Sequence, residues 1–145
     1  MKLPYTLNHP KAKPPVFASD QAACFDLTAC AREPSGQRAM IYDTGIVWDI
    51  PDGYHLKVYS RSGQGFKYDM RLCNSTGIID ADYLGTSNVK LVYDGPVSYR
   101  PDWPIGGDRI AQAMLVKNVK TELIEVEEIT KETARGENGF GSTGR

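Results

Sequence analysis

Short segments in which apolar and polar residues alternate constrain the fold of this chain more than any other feature. In "GIVWDIPDG", Ile46, Trp48 and Ile50 occupy alternate positions before a Pro-Asp-Gly turn. The same alternation recurs in three further segments: residues 53–60, 88–95 and 121–128. Alternation bounded by Gly, Pro and Asp is typical of half-buried β-strands. The sequence therefore predicts an all-β fold, either a sandwich, a jelly roll or a barrel, with a short helical turn only at residues 62–68.

Length and charge limit the classes of function. The 145 residues suit a single domain, 1–145, in which we interpret 1–15 as an extended N-terminal arm and 131–145 as a mobile tail. A net charge of −1 provides no basic field, so we expect no direct binding to nucleic acid. No apolar run reaches the roughly 20 residues of a membrane span, so no membrane partner is expected. Two histidines argue against a histidine-based zinc centre.

Two glycine-containing turns carry candidate anion-binding groups. In "YSRSGQG", Arg61 and Ser62 precede Gly63, where exposed backbone N–H groups can form a nest for a phosphate. An ordinary polar turn is the alternative. In "GGDRIAQAMLV", Arg109 and Gln112 interrupt an apolar strand. We expect Arg109 to be buried and to pair with an acid, and Gln112 is a candidate to direct its amide at a ligand.

The segment "NSTGIIDADYLG" predicts a β-hairpin with two carboxylates on one face, Asp80 and Asp82. Such a pair can bind a metal, or one member can act as a general base. A hairpin with solvated acids is the alternative. Asp26 lies between apolar neighbours in "AACFDLTA" and needs a partner, either an arginine, a backbone N–H or a metal-bound water.

The tail "RGENGFGSTGR" combines anion donors with a flat ring. Arg135, Ser142 and Thr143 can bind an anionic group, and Phe140 offers a stacking surface. A ligand with an anionic end and a planar end is a nucleotide. A disordered tail is the alternative.

In chain order, the five segments "AACFDLTA", "SRSG", "NSTGIIDADYLG", "GDRIAQ" and "RGENGFGSTG" resemble the five motifs of the trimeric deoxyuridine triphosphatase (dUTPase) family. The resemblance implies a distorted all-β jelly roll or barrel and a homotrimer with sites at the subunit interfaces. It also implies hydrolysis of dUTP to dUMP and pyrophosphate, which limits uracil incorporation into DNA and supplies dUMP for dTMP synthesis.

The resemblance assigns the residues that handle the nucleoside. Asp80 would be the general base that activates water for attack on the α-phosphate. Asn74 and the backbone around Gly77 and Ile79 would bind the polar edge of uracil. Tyr83 would pack against the deoxyribose, where a ribose 2′-hydroxyl would clash.

The resemblance also assigns the phosphate groups and the metal. Ser62, Gly63 and Gln112 would hold phosphate, and Arg61 would support the site. The cofactor would be Mg²⁺, which is held mainly by the substrate phosphates and is reached by Asp26 through water.

The same resemblance implies that the tail is a lid over a site on a neighbouring subunit. Phe140 would stack over uracil, while Arg135, Ser142 and Thr143 would bind the γ-phosphate. Glycines such as Gly141 would let the backbone pass close to the nucleotide.

Two alternatives remain open at this point. The first is a dCTP deaminase, which shares the jelly roll. The second is a nucleotide-gated regulatory protein with an unknown protein partner. Residues 93–107 are predicted to form a surface hairpin, with a partner-binding loop as the alternative. The expected location is the cytoplasm, or the nucleus or host cytoplasm for a eukaryotic or viral protein.

Overall fold

The computed structural model describes residues 1–96, 98, 99 and 101–138. Among them are eleven β-strands and one short helix. The strands are β1 (Tyr5–Leu7), β2 (Val16–Phe17), β3 (Phe25–Thr28), β4 (Ala31–Pro34), β5 (Ala39–Asp43), β6 (Ile46–Trp48), β7 (Tyr54–Tyr59), β8 (Met70–Leu72), β9 (Thr76–Ile79), β10 (Asn88–Tyr93) and β11 (Arg109–Lys117). The helix is α1 (Ser62–Tyr68), as the sequence predicted. This helix is not long and apolar enough to cross a membrane, and the described chain has no other.

The strands form three antiparallel sheets. The largest has the order β2-β3-β11-β7-β9, the second has the order β4-β5-β10-β8, and β1 pairs with β6. Most neighbours within a sheet are distant in sequence, so the chain crosses repeatedly between the two larger sheets. The predicted all-β, jelly-roll-like architecture is therefore confirmed.

The core lies between the two larger sheets. Leu27, Leu56 and Ala113 from the five-stranded sheet belong to the same buried cluster as Tyr42 and Leu91 from the four-stranded sheet. The alternating residues of β6, β7 and β10 supply their predicted faces to this cluster. Because each fully buried aliphatic side chain contributes about 1.5–3 kcal/mol, this cluster is the main source of stability.

The predicted strand at residues 121–128 is wrong. This segment has no strand partner in the described structure, and Leu123 and Ile124 are 93% and 72% exposed. The alternation is present, but a strand also needs a neighbour that accepts its backbone hydrogen bonds. Within one protomer, none of the described strands pairs with this segment.

The predicted hairpin at residues 93–107 is also wrong, because none of the described residues after Tyr93 in this stretch is in a strand. Arginines of the β4–β5 region hold the loop instead. Arg32 donates to the carbonyls of Trp103 and Pro104 at 2.9 and 2.6 Å. Arg38 donates to the carbonyl of Gly95 at 2.7 Å. The loop therefore folds along the four-stranded sheet and ends beside the start of β11.

Candidate active site

A buried carboxylate with two arginine partners lies at one end of the five-stranded sheet. Asp26 on β3 is 8% exposed. Its Oδ1 accepts from Arg61 Nε at 2.8 Å, and its Oδ2 accepts from Arg109 Nη1 at 3.0 Å. From the sequence we expected a partner for Asp26 and an acid that pairs with Arg109. The structure pairs these two residues with each other. Arg109, expected to be buried, has 55% of its side chain exposed.

A β-bulge explains how Arg109 reaches this position. Opposite β3, Arg109 faces Thr28 but Ala111 faces Leu27, so Ile110 is the extra residue on β11. A bulge bends its strand and leaves one backbone group outside the ladder. The carbonyl of Arg109 accepts from the side chain of Arg61, at 3.3 Å, instead.

The helix α1 begins directly at this cluster. Arg61 is its extended N-cap residue and has no side-chain cap bond, and Ser62 and Gly63 follow as the first helical residues. The first N–H groups of a helix have no intrahelical acceptor. The predicted turn is therefore present, and its hydroxyl and N–H groups lie next to the Arg61–Asp26 pair.

Gln112 lies in the same region, opposite Asp26 on β3 and Tyr59 on β7. Its Nε2 donates to the carbonyl of Ser60 at 2.9 Å. The structure thus brings five predicted residues together: Asp26, Arg61, Ser62, Gly63 and Gln112.

The segment "NSTGIIDADYLG" contains one strand rather than the predicted hairpin. The strand β9 pairs with β7, with Gly77 opposite Val58. A Cβ atom on Gly77 would lie 3.2 Å from Val58 Cβ, so the neighbouring strand itself favours glycine here. Asn74 lies just before β9, and its Nδ2 is 3.7 Å from the same Cβ position, so its side chain lies beside Gly77.

Asp80 and Tyr83 form the turn after β9. The carbonyl of Asp80 accepts from the N–H of Tyr83 at 3.2 Å, and both residues are exposed. Tyr83 Oη donates to the carbonyl of Thr86 at 3.1 Å. A Cβ atom on Gly85 would lie within 2.4 Å of that hydroxyl oxygen, so glycine is required for the tyrosine ring to fold back.

The cluster around Asp26 and the turn at Asp80 lie at opposite ends of the β7–β9 pair. Thr76 faces Tyr59, just before Arg61, whereas Ile79 faces Leu56 and is followed by Asp80. At about 3.3 Å per residue, Asp80 is displaced from Arg61 by roughly 15–20 Å along the strands. A single protomer does not bring these two groups of predicted residues together.

Arg135 is exposed in a turn, where its Nε donates to the carbonyl of Asn138 at 2.8 Å. The other predicted tail residues, Phe140, Gly141, Ser142 and Thr143, lie outside the described residues.

The chemistry of Asp26 fits an indirect metal contact. Each carboxylate oxygen can accept a second hydrogen bond beyond the one from its arginine, and water is a suitable donor. Among the described residues no group of three His, Cys, Asp or Glu side chains could hold a metal ion directly. Burial, and then the charge of Asp26, raise the pKa of the nearby Cys24 thiol, which disfavours thiolate chemistry.

One residue of this region was not identified from the sequence. Gln64 is 8% exposed, and its Nε2 donates to the carbonyl of Arg109 at 3.3 Å. A glutamine between two glycines in a seven-residue helix gives no periodic signal of burial, so only the structure reveals it.

Fold and site define an all-β protein with a cluster of arginine, serine and glutamine around one carboxylate. Residues 11–144 match the sequence profile of the family described as dUTPase. The chain belongs to the dUTPase family. The family identified from the five segments is therefore confirmed.

Similarity to individual members of the family extends over nearly the whole chain. The deoxyuridine 5'-triphosphate nucleotidohydrolase of Wolinella succinogenes is 38% identical over 148 residues, which cover 100% of this chain and 95% of the relative. That of Chlamydia muridarum is 40% identical over 134 residues, which cover 90% of each chain.

Solved structures of phage dUTPases share the fold. The dUTPase of Staphylococcus bacteriophage 80alpha with dUPNHPP has a TM-score of 0.85 and 26% identity over 99% of both chains. A mutant dUTPase from phage phi11 of S. aureus, described with a structural Mg(II) ion, has a TM-score of 0.76 and 24% identity over 88% of this chain and 98% of that chain.

Proposed function

We propose that this protein hydrolyses dUTP to dUMP and pyrophosphate, in keeping with its family. The observation that carries the proposal is the convergence of Arg61, Arg109, Ser62 and Gln112 around Asp26 at one end of the five-stranded sheet. Two guanidinium groups, a hydroxyl and an amide form a donor set that suits a polyphosphate. Product dUMP would serve dTMP synthesis, and removal of dUTP would limit uracil in DNA.

The base would bind along β9. Asn74 lies beside Gly77, and β9 is the edge strand of its sheet, so an amide group and backbone groups outside the ladder are available at one place for the polar edge of uracil. Polar groups that a bound base would bury without a matching partner discriminate strongly between ligands, so cytosine would be rejected. Ile79 would supply backbone contacts, and Tyr83 would pack against the deoxyribose.

Asp80 would accept a proton from the attacking water. The water oxygen would form a bond to the α-phosphorus, the bond to the bridging oxygen would break, and pyrophosphate would leave. The exposed position of Asp80 in a tight turn supports this role, since the carboxylate is accessible to water and substrate.

Mg²⁺ would bind mainly to the substrate phosphates, with Asp26 in contact through water. When bound, the ion would neutralise charge on the departing pyrophosphate. Arg61 and Arg109, which Asp26 orients, would contribute to the same neutralisation.

We further propose that the working enzyme is a homotrimer with sites between subunits. The separation of Asp80 and Tyr83 from the Arg61 cluster supports this, because these two sets of groups can meet if they come from different protomers. The apolar residues after β11 are exposed in one protomer. A cleft of about 620 Å³, lined by Leu3, Phe17, Trp48 and Leu115, offers an apolar surface on which this segment of a neighbouring subunit would pack. The last residues, from Arg135 to Thr143, would close as a lid.

The decisive experiment measures pyrophosphate release from dUTP, dTTP, dCTP and UTP in parallel, with and without Mg²⁺, together with ammonia release from dCTP. We expect rapid, Mg²⁺-stimulated release from dUTP alone. Ammonia from dCTP would favour the deaminase instead, and equal release from all four nucleotides would contradict the assigned uracil site.

A regulatory role remains a second candidate because one phage relative is described as controlling transfer of virulence genes by a G protein-like mechanism. A pull-down with and without a non-hydrolysable dUTP analogue tests it. Capture of a partner only in one nucleotide state would support a switch, whereas capture in both states would contradict it. The cytoplasmic location also stays a prediction.

A further inference from the structure

Gln64 is the residue of α1 that anchors the helix to the rest of the protomer. It is the one buried residue of Ser62–Tyr68. Its backbone carbonyl accepts from the N–H of Asp69, the left-handed C-cap residue, and therefore also closes the end of the helix. A seven-residue helix with two glycines is intrinsically unstable, so its placement depends on such contacts.

The anchor is polar where an apolar side chain would serve burial better. Nε2 of Gln64 donates to the carbonyl of Arg109, but Oε1 is buried without a hydrogen-bond partner among the described residues. An unpaired buried acceptor destabilises a fold, whereas an apolar group of similar shape does not. The unpaired Oε1 is therefore a cost to folding that an apolar side chain of similar length would avoid.

What the amide of Gln64 provides is a hydrogen bond to the carbonyl of Arg109. The bulge at Ile110 interrupts the pairing of β11 with β3 at this point. The carbonyl accepts from Gln64 Nε2 and from Arg61 Nη1, both at 3.3 Å. This one acceptor fixes the distance between α1, which carries Ser62, and the strand that carries Gln112.

We propose that Gln64 is a positioning residue for the phosphate-binding groups, retained at the expense of stability. Its amide holds Arg61 and Ser62 in register with Gln112, and it does not itself contact the substrate. This inference rests on the proposed function, because the groups that Gln64 positions are those assigned to phosphate.

The test replaces Gln64 by methionine, which keeps length and burial but removes the amide. Gln37→Met is the matched control, since Gln37 is exposed beside the β4–β5 turn. Calorimetry measures the Kd of pyrophosphate and of deoxyuridine, both with Mg²⁺, and a thermal melt measures Tm. For Gln64→Met we expect pyrophosphate to bind roughly three- to tenfold more weakly. This is the loss of about one hydrogen bond between the ligand and the displaced donors on Arg61 and Ser62. Deoxyuridine affinity should stay unchanged, and Tm should stay equal or rise.

Any other result for Gln64→Met overturns the proposal. Unchanged pyrophosphate affinity would mean that the amide positions nothing. A lower Tm, failure to fold, or equal weakening of both ligands would make Gln64 a purely structural residue. The readout is independent of turnover: if the unmodified protein binds pyrophosphate as expected but releases none from dUTP, hydrolysis fails while positioning stands. If it binds no pyrophosphate, the positioning role fails whatever the activity.

Discussion

The guanidinium of Arg109 donates to the carboxylate of Asp26 at 3.0 Å across 83 positions of sequence. This bond joins the first and fourth of the family-like segments at one point in space. Because the same carboxylate also binds Arg61, it fixes the orientation of two cations at once.

Removing the negative charge of Asp26 should lower both the stability of the fold and the rate of dUTP hydrolysis. We expect Asp26→Asn to lower the free energy of unfolding by about 1–3 kcal/mol, since a buried acceptor of two charge-assisted hydrogen bonds is lost. Turnover of dUTP should fall because both guanidinium groups lose their orientation. Chemical denaturation and steady-state kinetics measure the two effects.

Asp94→Asn is the matched control. Asp94 pairs with Arg71, but both side chains are about half exposed, so the change should cost less than about 1 kcal/mol. Equal effects of the two variants would contradict the importance assigned to Asp26.

The two glycines of α1 allow a paired test of phosphate approach. A Cβ atom on Gly63 meets open space, and one on Gly65 meets only the carbonyl of Met70 at 3.9 Å. Either change to alanine should therefore fit and stabilise the helix by up to about 1 kcal/mol. We expect Gly63→Ala alone to lower kcat/KM for dUTP, by about 10- to 100-fold, because the new methyl group obstructs phosphate. Similar kcat/KM values for both variants would count against this nest.

The assignment of the base predicts a separation of binding from chemistry. Asp80→Asn should lower kcat by about 10²–10⁴-fold, the usual contribution of a general base, while a non-hydrolysable dUTP analogue still binds. Asp82→Asn in the same turn is the control and should retain most activity. If both variants lose activity alike, the carboxylate pair acts together, as a metal site would.

Deletion of residues 135–145 tests the lid. We expect a folded protein of unchanged oligomeric state that turns over dUTP very slowly, because the groups assigned to the γ-phosphate and to stacking on uracil are gone. Light scattering and pyrophosphate release measure the two properties. Full activity of the truncated protein would reject the lid.

Stability at alkaline pH should depend on Tyr42. Burial of this phenol raises its pKa to about 12, with the charge of Arg32 acting in the opposite direction. The folded protein therefore keeps the proton between pH 10 and 12 while the unfolded chain releases it. Stability is fully present below pH 10 and falls as pH rises towards 12, by at most about 3 kcal/mol. Tyr42→Phe should lack this component when denaturation is followed from pH 8 to 11.5, and an identical pH profile for both proteins would contradict the shift.

Strands were predictable where one face enters the core. Ile46, Leu56 and Leu91 all lie on the faces that alternation assigned to them. The same alternation failed at residues 121–128 because it records which face is apolar and not whether a neighbouring strand exists. The missing hairpin after Asn74 has the same origin, since the partner of β9 is β7, which precedes it by a helix and another strand.

The sequence singled out residues that the structure brings together around Asp26, but it did not predict their arrangement. Asp26 clearly needed a partner, yet no local pattern indicates that Arg61 and Arg109 would share it. A bulge at Ile110 determines that geometry, and single-residue insertions in a ladder have no signature in an apolar strand. Gln64 was missed for a related reason, since its burial depends on a contact with a distant backbone carbonyl.

The apolar side chains between Val119 and Ile129 are exposed in an isolated protomer, so that protomer is prone to aggregate. In the proposed homotrimer a neighbouring subunit would cover this segment. If this trimer is the active species, the specific activity should fall on extreme dilution, as the subunits dissociate, and recover when the protein is concentrated again.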